Sequence, residues 1–210
     1  MPPPPLRFAA NVSWLFPDVP DLPGRIVAAG RAGFRAVEVA WPYAADRGAL
    51  KAALRAGAME LVLMNTPAGD REPGRPVLLG YRIHIMAGRV PAHVERSSIE
   101  KEMEETFIEN LRYAADILNQ ADIVGLIEPI NCRITEPRYF LNTPQQGAAI
   151  LQKVGRPNMK MQMDLYHWQI MDGNLTENIK TYFPLIGEKR LITIITQTLL
   201  MEGGALTENG

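Results

Sequence analysis

Disulfide chemistry is the first thing this sequence does without. A single cysteine, Cys132, stands in 210 residues, so no internal bridge can form and a reducing compartment is expected. Neither sign of charge predominates, with 22 Lys and Arg against 23 Asp and Glu and a formal net charge of -1. That balance gives no electrostatic footprint for nucleic acid or for an anionic membrane surface, so neither partner is expected. No apolar run reaches the roughly 18 residues that a membrane-crossing helix needs. The opening Met1-Pro2-Pro3-Pro4-Pro5 is neither cationic nor apolar, which speaks against a secretory signal and for a cytoplasmic protein. What is present is globular in character: 47% hydrophobic and 21% charged residues suffice for a packed core and argue against disorder.

Strand-like and helix-like segments alternate along the chain. Runs of apolar and β-tolerant residues at 6–12, 35–41, 59–65, 82–86, 123–128 and 159–165 predict strands. Helices are predicted over 22–32, with Asp21 as cap and Gly33 as stop, and over 43–56, ending at Gly57. Further helices are expected over 94–119, over 144–154 closed by Gly155, and over 175–182 with Asn174 as a cap. Phe107, Ile108, Leu111, Ala114, Ala115 and Leu118 follow the helical period. Strands separated by helices of this length predict βαβ units and a parallel sheet, either doubly wound or a (β/α)8 barrel. No Gly-x-Gly-x-x-Gly fingerprint favours the dinucleotide-binding form. Polar residues gather instead at carboxyl ends of strands: Asn11, Ser13, Glu38, Asn65, His84, Glu128, Asp164 and His167. A barrel places its chemistry at that rim.

Two places break the pattern. Residues 66–81 hold three prolines and three glycines, so the helix expected after strand three is missing. After Gly187 one β-branched apolar run passes into a polar tail. A full barrel usually takes about 250 residues, and at roughly 30 residues per unit this chain is one or two units short. The fold expected is α/β, an incomplete (β/α)8 TIM barrel with about six βα units and strands seven and eight missing. Residues 1–187 would form the partial barrel and 188–210 a divergent tail.

Strand six sets Met159, Met161 and Met163 on one face against Lys160, Gln162 and Asp164 on the other. The methionines read as core filling against helices. A polar series inside a barrel is costly unless it is paired or bound to something. Strand five sets Val124, Leu126 and Glu128 on one face, so Glu128 and Asp164 end neighbouring strands and point inward. Two such carboxylates raise each other's pKa unless a cation lies between them, and oxygen ligands favour Mg2+ or Mn2+. The ordinary structural alternative pairs Glu128 with Arg133 and makes Asp164 the cap of a turn at 166–169. His84 and His167 also stand at strand ends, where each could be a structural residue or a substrate contact. His93 reads as a solvated loop residue, Trp41 and Trp168 as a wall over a small substrate or as packing. Lys160, deep in the barrel, reads as half of a buried ion pair, or more remotely as a Schiff-base lysine. Glu100–Glu105 is a solvated helix face.

Several strings go further than spacing. NVSWLF at 11–16, VEVAWPY at 37–43, IHIMAG at 83–88, EPIN at 128–131, FLNTPQQ at 140–146 and QMDLYHWQ at 162–169 resemble the hydroxypyruvate isomerase family of xylose-isomerase-like barrels. The match covers about residues 6–65 and 82–187. It implies a metal-assisted isomerase interconverting hydroxypyruvate and 2-hydroxy-3-oxopropanoate by proton transfer through an enediolate. In relatives one divalent ion is held by a Glu ending strand five, an Asp ending strand six, a polar residue ending strand seven and a Glu ending strand eight. The glutamates also carry the proton. Glu128 matches the first Glu as ligand and proton donor or acceptor, and Asp164 matches the Asp. His167 matches a substrate-contacting histidine, and His84 is a further substrate-binding candidate. The second catalytic Glu is absent: Gln197 follows Gly187 in a shifted register, and Glu202 and Glu208 have no matching context. The resemblance therefore implies an activity impaired by truncation, or an inactive short isoform or gene-model product. An abasic-site endonuclease-like metal hydrolase is a remoter reading. The partner expected is hydroxypyruvate, with a homo-oligomer allowed.

Overall fold

A computed structural model describes residues 8–66 and 82–187. Six strands form one sheet in sequence order: β1 (Ala9–Asn11), β2 (Ala36–Val39), β3 (Glu60–Asn65), β4 (Arg82–His84), β5 (Val124–Ile127) and β6 (Met159–Met161). Every neighbouring pair is parallel. Helices α1 (Leu22–Arg31), α2 (Arg47–Ala56), α3 (Arg96–Asn119) and α4 (Pro144–Val154) connect them. Two short helices, α5 (Leu165–Met171) and α6 (Leu175–Tyr182), follow β6. Among the described residues the sheet runs from β1 to β6 without closing, which is an incomplete TIM barrel. Ile186 makes an isolated parallel bridge to Met161 beyond β6. The 66–81 segment is described only at Thr66, so the expectation of a missing helix lies outside the described residues, as do Gln197, Glu202 and Glu208.

Side-chain alternation sorts the strands into an outer apolar face and an inner polar one. Ala10, Val12, Val37, Val39, Leu61, Met64 and Ile83 pack in one buried cluster with Ile26, Ala29, Leu50 and Ala53 of α1 and α2. Ile127, Met159, Met161 and Met163 join a second with α3 and α4, so the methionine face is core, as the sequence predicts. The opposite face carries Asn11, Glu38, His84, Glu128, Gln162 and Asp164, which are the other members of the alternation. Among the described residues α1 to α4 cover the outer face, joined in the second cluster by Ile130, Tyr139, Phe140 and Leu141 of the loop between β5 and α4. None of the described helices is long and apolar enough to cross a membrane.

Capping side chains set most helix bounds. Asp21 accepts a hydrogen bond from the Gly24 N–H at 2.7 Å. Asp46 accepts from Ala49 at 2.7 Å, so α2 begins at Arg47 and not at residue 43; Pro42–Ala44 forms a separate 3-10 turn. Thr143 caps α4 through the Gln146 N–H, and Gly155 ends it in the left-handed region at φ 64°. The nearest obstacle to a Cβ there is Gln152 O at 4.0 Å, so the cost of a side chain is conformational. Gly155→Ala is expected to lower stability by about 1 kcal/mol in urea denaturation; unchanged or higher stability would contradict this account of the helix end.

β6 is shorter than the strand expected over 159–165. It stops at Met161 because Asp164 turns the chain into α5, its carboxylate accepting from Tyr166 N at 2.8 Å and His167 N at 3.4 Å. The helix α5 itself is not foreseen by the sequence reading.

Candidate active site

Glu128 follows β5 directly, and Gln162 prolongs the ladder beyond β6 by donating its N–H to Ile127 O at 2.8 Å. This register brings Glu128 and Asp164 to one rim, as the period of two predicts. Glu128, Asp164 and His167 each place one donor atom within 4.8 Å of the others, and all three are buried. His84, only 1% exposed, sets its Nδ1 3.4 Å from Glu128 Oε2. His167 Nε2 is 3.7 Å from Asp164 Oδ2. Asn11 Nδ2 donates to Glu38 Oε2 at 3.3 Å farther round the same interior. The four residues that the sequence points to, Glu128, Asp164, His167 and His84, therefore share one buried locus.

Burial dominates the electrostatics. The Glu128 carboxyl is pushed up, first by desolvation and then by the Asp164 and Glu38 carboxylates, against a hydrogen bond from Gln162. Desolvation pushes Asp164 up to about 6, with the N–H groups of Tyr166 and His167 pulling the other way. The histidines move down: His84 to about 3 through burial and then the proximity of His167, and His167 to about 4 through burial. Both imidazoles are neutral near pH 7. Two carboxylates buried side by side repel one another unless a cation lies between them. Glu128 Oε1, Gln162 Oε1 and both ring nitrogens of His84 are buried with no hydrogen-bond partner among the described residues. Orphans of this kind are rare unless something binds them, so the donor set fits a hard divalent cation and a small polar ligand.

The structural alternative for Glu128 fails and that for Asp164 holds in part. Arg133 is exposed and donates to Ile170 O at 2.6 Å, not to Glu128. Asp164 does cap, but through Oδ1, leaving Oδ2 toward His167. Trp168 is 0% exposed and meets Tyr182 edge-on at 6.1 Å between ring centroids; it is packing, while Trp41 remains 48% exposed. Lys160 is half-buried and has no ion-pair partner among the described residues, contrary to the expected buried pair. His93 is exposed.

Asn131 is the residue the sequence reading missed. It is 0% exposed and touches His167 Nδ1 through Nδ2 at 2.8 Å. Its loop is held down from outside, with Ile130 N donating to Leu141 O at 3.0 Å and Arg96 gripping the carbonyls of Tyr139 and Phe140. Tyr139, Phe140 and Leu141 are buried under it.

Residues 77–195 match the family model described as "Xylose isomerase-like TIM barrel". A Xenopus laevis protein named "Putative hydroxypyruvate isomerase" is 62% identical over 213 residues, covering 90% of this chain and 78% of that protein. Hydroxypyruvate isomerase of Escherichia coli is 35% identical over 210 residues, covering 89% and 79%. Among solved structures, AP endonuclease, family 2 from Brucella melitensis is 34% identical with a TM-score of 0.76, covering 87% of this chain and 77% of that one.

Proposed function

Because this chain belongs to the hydroxypyruvate isomerase family of xylose isomerase-like TIM barrels, an isomerase family, we propose that its site handles hydroxypyruvate and 2-hydroxy-3-oxopropanoate. The observation that carries the reading is the buried pair Glu128 and Asp164, with Glu128 Oε1 unpartnered. Glu128 and Asp164 would hold Mg2+ or Mn2+, which supplies Lewis-acid polarisation of the substrate's carbonyl and adjacent hydroxyl. Glu128 removes the proton from the hydroxyl-bearing carbon, leaving an enediolate, and a proton returns at the former carbonyl carbon. The hydroxyl proton passes to the former carbonyl oxygen, so the product has the same composition as the substrate. His84 and His167, both neutral, bind substrate oxygens without adding charge. The residues of this site, His84, Glu128, Asp164 and His167, all lie within 82–187, and the divergent tail expected over 188–210 lies outside the described residues.

The family pattern uses a second glutamate, and these 210 residues offer no match for it. The chain is therefore competent for proton removal and impaired in completing the isomerisation. In D2O with Mg2+, deuterium is expected to wash into C3 of hydroxypyruvate faster than in a blank and not with Glu128→Gln. Net turnover is expected to stay below about a tenth of that of the Escherichia coli enzyme, since a shuttle carboxylate contributes typically about 10²–10⁴-fold. No wash-in would defeat the isomerase reading for this chain, and turnover within tenfold would defeat the impairment. An abasic-site endonuclease-like activity draws support from the name of the Brucella melitensis structure. Against it stand the three histidines and the near-neutral charge; salt-sensitive DNA binding is the observation it requires.

A further inference from the structure

Asn131 has four partners, and together they fix the direction of its amide. Oδ1 accepts from the backbone N–H groups of Ile134 at 2.9 Å and Thr135 at 3.0 Å. A backbone N–H can only donate, so the oxygen must face them. Nδ2 then faces Thr135 Oγ1 at 2.9 Å and His167 Nδ1 at 2.8 Å. An amide nitrogen only donates, so Nδ1 must present its lone pair. A neutral imidazole with a lone pair on Nδ1 carries its proton on Nε2. The doubly protonated ring is excluded by the same contact, since two N–H groups would point at one another.

We propose that Asn131 locks His167 in the Nε2–H tautomer, so that the ring meets the Glu128–Asp164 pair as a hydrogen-bond donor to a substrate oxygen and not as a metal ligand. Nε2 lies 3.7 Å from Asp164 Oδ2, beyond hydrogen-bonding distance, which leaves that proton for an oxygen bound between them. Proximity alone would count His167 as a third ligand; the proton on the facing nitrogen removes it from the ligand set. Asn131 is a positioning residue, acting through His167. The assignment deepens the isomerase reading and rests on it only for the identity of the oxygen.

The test is a long-range 15N–1H correlation spectrum of the 210-residue chain at pH 7, with His167→Gln to identify the signal among three histidines. The expected pattern is protonated Nε2 and bare Nδ1, unchanged on adding Mg2+. Asn131→Asp keeps an oxygen for the Ile134 and Thr135 N–H groups and puts a second acceptor opposite Nδ1, so it should move the proton to Nδ1. A merely structural Asn131 would not produce that exchange. A wild-type ring that is protonated on Nδ1, is doubly protonated, or switches when Mg2+ is added would overturn the proposal, whatever the variant does. Deuterium wash-in is read separately, and its absence would count against the isomerase reading alone.

Discussion

Replacing Glu128 by glutamine is expected to weaken Mn2+ binding by at least about 100-fold, because even residues behind the ligands typically change affinity 10–100-fold. The substitution keeps the shape and removes one formal charge and one anionic donor from a site that has two. Its second effect should have the opposite sign. In the metal-free protein the Glu128 carboxyl is pushed up by burial and by Asp164 and Glu38, so ionising it destabilises the fold at neutral pH. A neutral amide relieves that repulsion and can donate to Asp164. Glu128→Gln should therefore raise the metal-free melting temperature while abolishing the rise that Mn2+ gives the unmodified chain, the trade between site and stability expected where a function needs buried charge. Calorimetric titration and thermal denaturation read the two effects on one sample. A variant that still binds Mn2+ within threefold, or that melts lower without metal, would remove Glu128 from the role given it.

Legibility in the sequence followed how local each signal is. The helix α4 was readable to the residue because Thr143, Pro144 and Gly155 each act on their own neighbours. The start of α6 is marked by Asn174 through its backbone and not as a side-chain cap: it turns the chain in the left-handed region at φ 44°, and its side chain makes no capping bond. The end of β6 was overrun because Met163 continues the apolar alternation, although an Asp followed by an apolar helix-forming run is itself a cap signal. Glu128 and Asp164 were legible through the period of two, since a parallel register carries that alternation directly into space. Asn131 was not. Its function depends on His167, 36 positions away, and no spacing rule links a loop amide to a helix imidazole. The Glu128–Arg133 pair failed for a related reason: nearness in sequence suggested it, while burial of one partner and exposure of the other forbids it.

Mn2+ binding should strengthen steeply as pH rises from 5 to 7. The sign follows from which state holds the proton. In the metal-free fold Asp164 is pushed up to about 6, so at pH 5 it is largely protonated, and burial with the Asp164 and Glu38 carboxylates makes Glu128 hold its proton more tightly than an ordinary carboxylate. A cation must displace those protons, and affinity falls about tenfold per pH unit for each proton displaced below its pKa. The loss from pH 7 to pH 5 should lie between about tenfold for one proton and about 100-fold or more for two. The neutral imidazoles contribute nothing to this slope in that range, because burial holds His84 near 3 and His167 near 4. Proton release measured in two buffers of different ionisation enthalpy gives the count directly. Asp164→Asn should reduce the release by one proton and flatten the profile, since Asn keeps an oxygen for the N–H groups of Tyr166 and His167 but has nothing to ionise. A profile that is flat between pH 5 and 7 would mean that the carboxyl pair is already ionised without metal, and the buried like-charge pair would then need a different counter-charge from the cation assigned to it.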